Sequence, residues 1–241
     1  IVATGCTQWA TLDLPQEDLP QIYHGLPFLH DTRSGQVPEV GRRVVVIGGG
    51  NVAVDAAQTA IRLGAEEVTV ACLESATELP AFEWAVETAL FEKIAFAYGW
   101  GPVQFQSEGA AVSGVEFQRC VQVQNESGAF APRFAADDRM VLPADTVIVA
   151  IGQASDTTMF TGTAALRNGA IAADGLTLQT GDEKIFVAGD LLTGPSSAVD
   201  AMAHGREAAE SVDRFLNGDH LRYGRAYAGP TITDFEIEVD P

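Results

Sequence analysis

The stretch Val44-Val45-Val46-Ile47-Gly48-Gly49-Gly50-Asn51-Val52-Ala53-Val54-Asp55 decides the fold. Four consecutive β-branched residues have no polar face to give to water, so they predict a strand buried on both sides, as in a parallel sheet. Three glycines follow at once. The run from Asn51 to Leu63 then reads as a helix, with Gly64 as its stop signal. Ala53, Ala57, Ala60 and Gly64 form a small-residue stripe that lets this helix lie close on a sheet. Glu67 to Leu73 is the next strand, so residues 44–73 make one βαβ unit.

Gly48-x-Gly50-x-x-Ala53 inside such a unit is a dinucleotide-binding pattern, and each position has its own reason. Gly48 permits the tight turn. Gly50 lets a pyrophosphate approach the backbone, and Ala53 allows the helix to pack closely on the strand. Gly48, Gly49, Gly50, Asn51, Val52 and Ala53 are therefore the expected phosphate-binding residues, since a helix N-terminus offers unpaired N–H groups and partial positive charge. At the end of the second strand an acid hydrogen-bonds the adenosine 2′-OH, whereas a basic residue accommodates a 2′-phosphate. The chain has Leu73-Glu74 there, with no Arg or Lys nearby. A carboxylate would repel a 2′-phosphate, so the expected cofactor is NAD(H) rather than NADP(H).

Outward from this unit the pattern changes. Residues 7–40 carry Pro15, Pro20, Pro27 and Pro38 and read as an irregular connector. Pro80 suggests a helix running to about Lys93, with Ala85, Val86, Ala89 and Leu90 inward. Val103–Gln106, Val115–Gln118 and Val121–Gln124 alternate apolar and polar residues and predict an antiparallel meander with one face on a core. Thr146–Ile151 is a second buried parallel strand ending at Gly152. Lys184–Ala188 reads as a short buried strand. A long helix is expected from about Ser196 to Leu216, with Val199, Met202, Ala209, Val212 and Leu216 on its apolar face. The tail from Asp219 has no clear period. Ile1–Gly5 reads as the end of a buried strand running into a turn, which implies a segment upstream.

Composition narrows the function classes. The net charge is −19, with 33 acidic and 14 basic residues, which argues against nucleic acid and against an anionic membrane surface. No apolar run reaches the length of a membrane span. Cys6, Cys72 and Cys120 are far apart and form no C-x-x-C, so a zinc site, an iron–sulfur cluster and a redox-active dithiol are unsupported within this chain. Cys72 reads as inert packing, and the cytoplasm is the default compartment. His24, His30, His204 and His220 are scattered, with no metal or catalytic spacing.

The run Val45–Asp55 resembles the nicotinamide domain of the glutamate synthase small-subunit family. So do Glu78-Leu-Pro-Ala81, Val149-Ala-Ile-Gly152, Ile185-Phe-Val-Ala-Gly-Asp190, Thr193-Gly-Pro195 and Gly205-Arg-Glu-Ala-Ala209, in that order up to about Gly218. The resemblance implies an α/β fold in which a Rossmann-like nicotinamide-binding domain with an antiparallel β-meander is inserted in part of an FAD-binding α/β domain. On that basis residues 1–36 are the end of the first FAD-domain segment and a connector. Residues 37–152 are the NAD(P)-binding domain, 153–218 the second FAD-domain segment and 219–241 a C-terminal tail.

It further implies a hydride transfer from NAD(P)H to FAD and electron delivery to an iron–sulfur cluster or other redox partner subunit; with Glu74, NADH is expected and NADPH is the less favoured donor. Ala3-Thr4-Gly5 would be the exit from the FAD domain into the inserted domain and Ile151-Gly152 the return. Gly189-Asp190 would place the Asp190 carboxylate on the FAD ribityl chain. Ser197, Ala198 and Val199 would aim a helix N-terminus at the flavin O2, where reduction places negative charge. Asp55 falls where related enzymes carry a Glu near the nicotinamide; the plain alternative is an exposed first-turn acid. NADPH-using members of that family carry an Arg pair where this chain has Leu73-Glu74. The family's other glycine loop, for the FAD pyrophosphate, has no counterpart here. Hydride transfer needs no side-chain nucleophile, so no catalytic residue is named. Two other readings stand beside this one: a dinucleotide-binding module without turnover, and a structural subunit of a redox complex.

Overall fold

The computed structural model describes residues 1–160, 166–167 and 170–225. In chain order the elements are β1 (Gln8–Trp9), β2 (Ile22–His24), α1 (Gly25–Arg33), β3 (Arg43–Ile47), α2 (Asn51–Arg62), β4 (Glu67–Cys72), α3 (Glu83–Phe91), β5 (Ala95–Tyr98), β6 (Trp100–Glu108), β7 (Ala111–Gln124), β8 (Phe130–Pro143), β9 (Thr146–Val149), β10 (Gln153–Ala154), β11 (Leu166–Arg167), β12 (Ala170–Ile171), α4 (Asp190–Thr193) and α5 (Ala198–Asn217). The chain divides into two compact units, one spanning Gln8–Ala154 and the other made of Ile1–Thr7 with the chain from Ser155 onward.

The unit Gln8–Ala154 is built on a five-stranded parallel sheet in the order β2-β9-β3-β4-β5. Successive side chains of a strand point to opposite faces. Val44 and Val46 accordingly pack with α2 and with Phe28 of α1 and Ala85 of α3. Val45 and Ile47 pack on the other side with Phe105, Val115 and Phe117, which come from the antiparallel sheet β6-β7-β8. With helices on one face and a second sheet on the other, β3 needs apolar side chains throughout, which explains its unbroken β-branched run. Ala53, Ala57 and Ala60 are fully buried, so the small-residue stripe does seat α2 on the sheet. Gly64, at φ +104, ends the helix.

Five local expectations for this unit are corrected. Residues 7–40 are not simply irregular: β2 joins the main sheet beside β9, and α1 follows it. Three residues carry no readable period, and their pairing is decided across more than a hundred residues. Pro27 does not break α1, because it lies in the first turn, where its missing N–H is not needed. Helix α3 starts at Glu83 and not at Pro80, and Leu90 is exposed while Ala85 and Ala89 are buried. The two segments 115–118 and 121–124 belong to one long strand, β7, with irregular register against β8 between Gln118 and Gln124. Strand β9 ends at Val149, short of Ile151.

In the other unit, Val2 pairs in parallel with Val187, and Gln179 pairs with Phe186. These are isolated bridges, so Lys184–Ala188 is not the regular strand expected. Phe160, Ile171, Val187 and Leu191 form one apolar cluster, and Leu178, Ala188 and Ala208 another. Helix α5 opens with a capping box: the Ser197 hydroxyl accepts from the Asp200 amide, and the Asp200 carboxylate accepts from Ser197. It closes on Gly218 in the left-handed conformation. The apolar face read for this helix is corrected: Val199, Met202, Ala209 and Leu216 are exposed, and Ala208 and Ser211 are the buried positions. Periodicity finds a stripe but does not say which stripe its own unit covers. The start of the tail is tied to this unit by Arg222–Asp174 and Arg225–Glu207 ion pairs; the rest of it, residues 226–241, lies outside the described residues.

Candidate functional site

The carboxyl ends of β3 and β9 lie side by side, and there the glycine loop turns into α2. This is where open α/β sheets bind ligands. Gly48 has φ +136, and a Cβ on it would stand 2.2 Å from the Ala150 carbonyl oxygen. Its amide donates to the Ala71 carbonyl at 2.9 Å, while the Ala150 amide donates to the Ile47 carbonyl at 2.8 Å. The loop is thus clamped between the two neighbouring strands, and only glycine fits at its first position.

Gly50 differs. It is the N-cap of α2 in extended conformation, no side chain caps the helix from it, and its Cβ position meets nothing within 4 Å. The first-turn amides, those of Asn51 and Val52 among them, are ones that a helix leaves without intrahelical partners. Open space in front of an uncapped helix N-terminus could hold an anionic group, which makes this a candidate phosphate cradle. Ala53 is buried beneath it, as close helix–strand packing requires.

Glu74 reaches this loop. A Cβ on Gly49 would stand 2.8 Å from Glu74 Oε2, 3.1 Å from Leu79 Cδ2 and 3.3 Å from Cys72 Cβ. The carboxylate expected at the end of β4 is therefore beside the glycines and not turned away. Leu73 has a structural contact: its Cδ2 stands 2.8 Å from where a Cβ on Gly101 would be. Cys72 is buried, and burial, with the Glu74 charge second, pushes its thiol up to about 12, which makes it inert.

The segment after Glu74 is a part of the site that motif reading did not explain. It runs through a turn in which the Glu78 amide donates to the Ser75 carbonyl at 3.1 Å, then passes over the glycine loop. The Ala81 amide donates to the Gly49 carbonyl at 3.1 Å, and the Phe82 amide donates to Asn51 Oδ1 at 2.8 Å. The Glu78-Leu-Pro-Ala81 motif is a strap clipped to the loop at two points. Phe82 stacks on Trp84 with ring centroids 6.0 Å apart, and both rings are exposed. The signal for this strap was the motif itself, but its contact with residues thirty positions away has no sequence period.

Asp55 lies exposed in the second turn of α2, one turn beyond the first-turn position expected of an exposed acid. Desolvation nevertheless holds its carboxyl above the ordinary range, with Arg62 pulling the other way. Ile151 is exposed, and Gly152, at φ +128, accepts from the Ala10 amide at 3.1 Å. His24, at the end of β2, stacks on Trp9 at 5.5 Å. Burial lowers its pKa, against an opposing pull from Glu17, and its Nδ1 is buried without a hydrogen-bond partner among the described residues.

The remaining expected residues lie in the other unit. Thr4 is exposed, and Gly5 adopts φ +71. Gly189 has φ +66 and leads into α4 at Asp190. Asp190 Oδ1 accepts from the Ser196 hydroxyl at 2.8 Å and from its amide at 3.2 Å, so this carboxylate fixes the turn that delivers α5. Ser197, Ala198 and Val199 stand exposed at the start of that helix. Among the described residues, no group of three or more His, Cys, Asp or Glu could hold a metal ion, and no helix is long and apolar enough to cross a membrane. All three cysteines are free.

Comparison with known proteins places the chain in a family. A family profile described as pyridine nucleotide-disulphide oxidoreductase matches residues 1–205. The chain is 32% identical over 241 residues to the NADP(+)-dependent formate dehydrogenase subunit beta of Moorella thermoacetica, covering 97% of this chain and 33% of that protein. It is also 32% identical over 241 residues to the NADPH-Fe(3+) oxidoreductase subunit beta of Geobacter sulfurreducens, covering 90% and 34%. The NADPH glutamate synthase small chain of Halomonas elongata is 32% identical over 220 residues, covering 84% and 46%. The chain thus spans between a third and about half the length of these relatives, whose names specify NADP or NADPH. Among solved structures, T. acidophilum thioredoxin reductase superposes with a TM-score of 0.68 at 19% identity, covering 90% of this chain and 64% of that one, a likeness of fold. The chain belongs to the pyridine nucleotide-disulphide oxidoreductase family of FAD- and nicotinamide-binding proteins, as do the glutamate synthase small chains.

Proposed function

We propose that this chain is the nicotinamide-binding portion of a flavin-dependent oxidoreductase that takes a hydride from NADH and passes electrons to a partner subunit or iron–sulfur cluster. The observation that carries the reading is the open, uncapped N-terminus of α2 at Gly50, with the Glu74 carboxylate beside the same loop. When bound, the flavin would supply the hydride acceptor and the one-electron outlet. The chain's own residues do the positioning. The Gly48–Ala53 turn holds the pyrophosphate, and Glu74 accepts the adenosine 2′-OH and repels a 2′-phosphate.

Glu74 favours NADH, although the named relatives above are NADP- or NADPH-linked proteins. Those names do not fix the choice here, because the discriminating residue is local and this chain carries an acid at it. For FAD, the fitting residues are Thr4-Gly5, Gly189-Asp190 and the amide end of α5 at Ser197–Val199. Three free cysteines fit a reducing compartment such as the cytoplasm.

The test is the visible spectrum of the full-length protein before and after addition of NADH or NADPH. A flavin band bleached by NADH faster than by NADPH supports the reading. A colourless protein that still binds NADH would instead be a dinucleotide-binding module, and one bleached by NADPH alone would overturn the assignment of Glu74.

A further inference from the structure

We propose that Asn51 is a positioning residue for the dinucleotide, acting on it through the strap Leu79–Phe82, which the Asn51 side chain holds as the outer wall of the phosphate cradle. The inference rests on the reading of that cradle as a nicotinamide-dinucleotide site.

Asn51 is the first residue of α2, behind a glycine N-cap that has no side chain. Asparagine favours a cap over a helix interior because its side chain competes for local backbone groups. Here it is not spent on its own helix. Its Oδ1 accepts from the Phe82 amide, 31 positions along the chain, at 2.8 Å. Phe82 is in turn the N-cap of α3, with a side chain that cannot cap. One hydrogen bond therefore ties the start of α2, where the pyrophosphate is expected, to the start of α3.

Among the described residues, the strap has two such ties to the loop: this one, and the Ala81 amide on the Gly49 carbonyl. The Leu79 side chain of the strap faces the loop, its Cδ2 3.1 Å from the Cβ position of Gly49, which Glu74 Oε2 also approaches at 2.8 Å. Releasing the Asn51 tie frees one end of the wall that faces the adenosine side of the cradle. Phe82 is 56% exposed, so water can satisfy its amide when Asn51 is lost. The loss should then fall on pre-organisation of the cradle, and hence on affinity, more than on folding.

The hydrogen bond can be removed from either end. Asn51→Ala removes the acceptor. Phe82→Pro removes the donor, and the native φ of −61° suits proline; Phe82→Ala, which keeps the amide, is its reference for loss of the ring. In the full-length protein, binding of NADH or NADPH, whichever the wild type prefers, is measured by calorimetry alongside the unfolding midpoint. Asn51→Ala should weaken binding about tenfold, a 1.4 kcal/mol effect, with little change in the midpoint. Phe82→Pro should weaken it similarly relative to Phe82→Ala, and the double variant should be no weaker than either, since both changes delete the same bond.

Wild-type affinity in Asn51→Ala overturns the proposal, and so do additive effects of the two changes. If Phe82→Pro unfolds, the Asn51→Ala affinity and midpoint decide alone: a lowered midpoint with unchanged affinity marks a merely structural role. A wild-type protein that binds neither dinucleotide overturns the reading of the cradle, and this inference with it.

Discussion

Gly48 and Ala150 are in closer register than any side chain would allow: a Cβ on Gly48 would lie 2.2 Å from the Ala150 carbonyl oxygen and 2.8 Å from its carbon. The obstacle is backbone, and the Ala150 amide is itself bonded to Ile47, so neither side can move aside cheaply. Gly48→Ala should therefore lower stability by about 2–4 kcal/mol, combining the clash with the positive φ. Urea unfolding read by circular dichroism would measure it, and a variant within the error of wild type would contradict this geometry.

Gly50→Ala should do the opposite. Its φ of −88° is open to any residue, and its Cβ position is empty. The unfolding midpoint should fall much less than in Gly48→Ala, by no more than the loss of a glycine N-cap, while NADH affinity drops at least tenfold if the methyl group stands where the proposed pyrophosphate approaches. Equal loss in both properties would mean that the loop serves the fold alone.

If Glu74 reads the 2′ position as proposed, Glu74→Arg should shift the cofactor preference toward NADPH. The carboxylate lies beside Gly49, and replacing it with a guanidinium exchanges repulsion of a 2′-phosphate for a charge-assisted hydrogen bond. The ratio of kcat/KM for NADPH over NADH should rise by roughly tenfold or more. Leu73 is better left in place, since it packs against Gly101. An unchanged ratio would show that another group reads the 2′ position.

Asp145 gives a pH dependence with a fixed sign. Its carboxylate accepts from the Arg43 amide at 3.0 Å and from the Arg43 guanidinium at 2.5 Å, and these bonds hold its pKa below the ordinary range. A carboxyl depressed in the native state adds stability that is complete above its unfolded value of about 3.9 and is lost as pH falls through the lower native value. The contribution is small, because both side chains are more than a third exposed. Asp145→Asn should lower stability slightly at neutral pH and flatten its decline below about pH 4. A decline as steep as in wild type would place the effect on other carboxylates.

Much of this protein was legible in the sequence because the deciding information was local. The βαβ unit, the glycine loop and the buried strand at 146–149 each combine a chemical type with a short period, and the chain realises all three. Glu74 could be placed beside the glycine loop because the end of β4 at Cys72 fixes where the residues just after it lie. What depended on partners far along the chain was not legible. Strand β2 exists through pairing with β9, and the buried side of α5 depends on what its unit places against it. The Asn51–Phe82 bond joins two helix starts brought together by the packing of α2 beside α3. Sequence by itself determined that a glycine turn would meet a helix N-terminus beside an acid. Only the tertiary structure decided which glycine is clamped by backbone, which faces open space, and that a strap lies over them, because those are distances between segments and no periodicity encodes them.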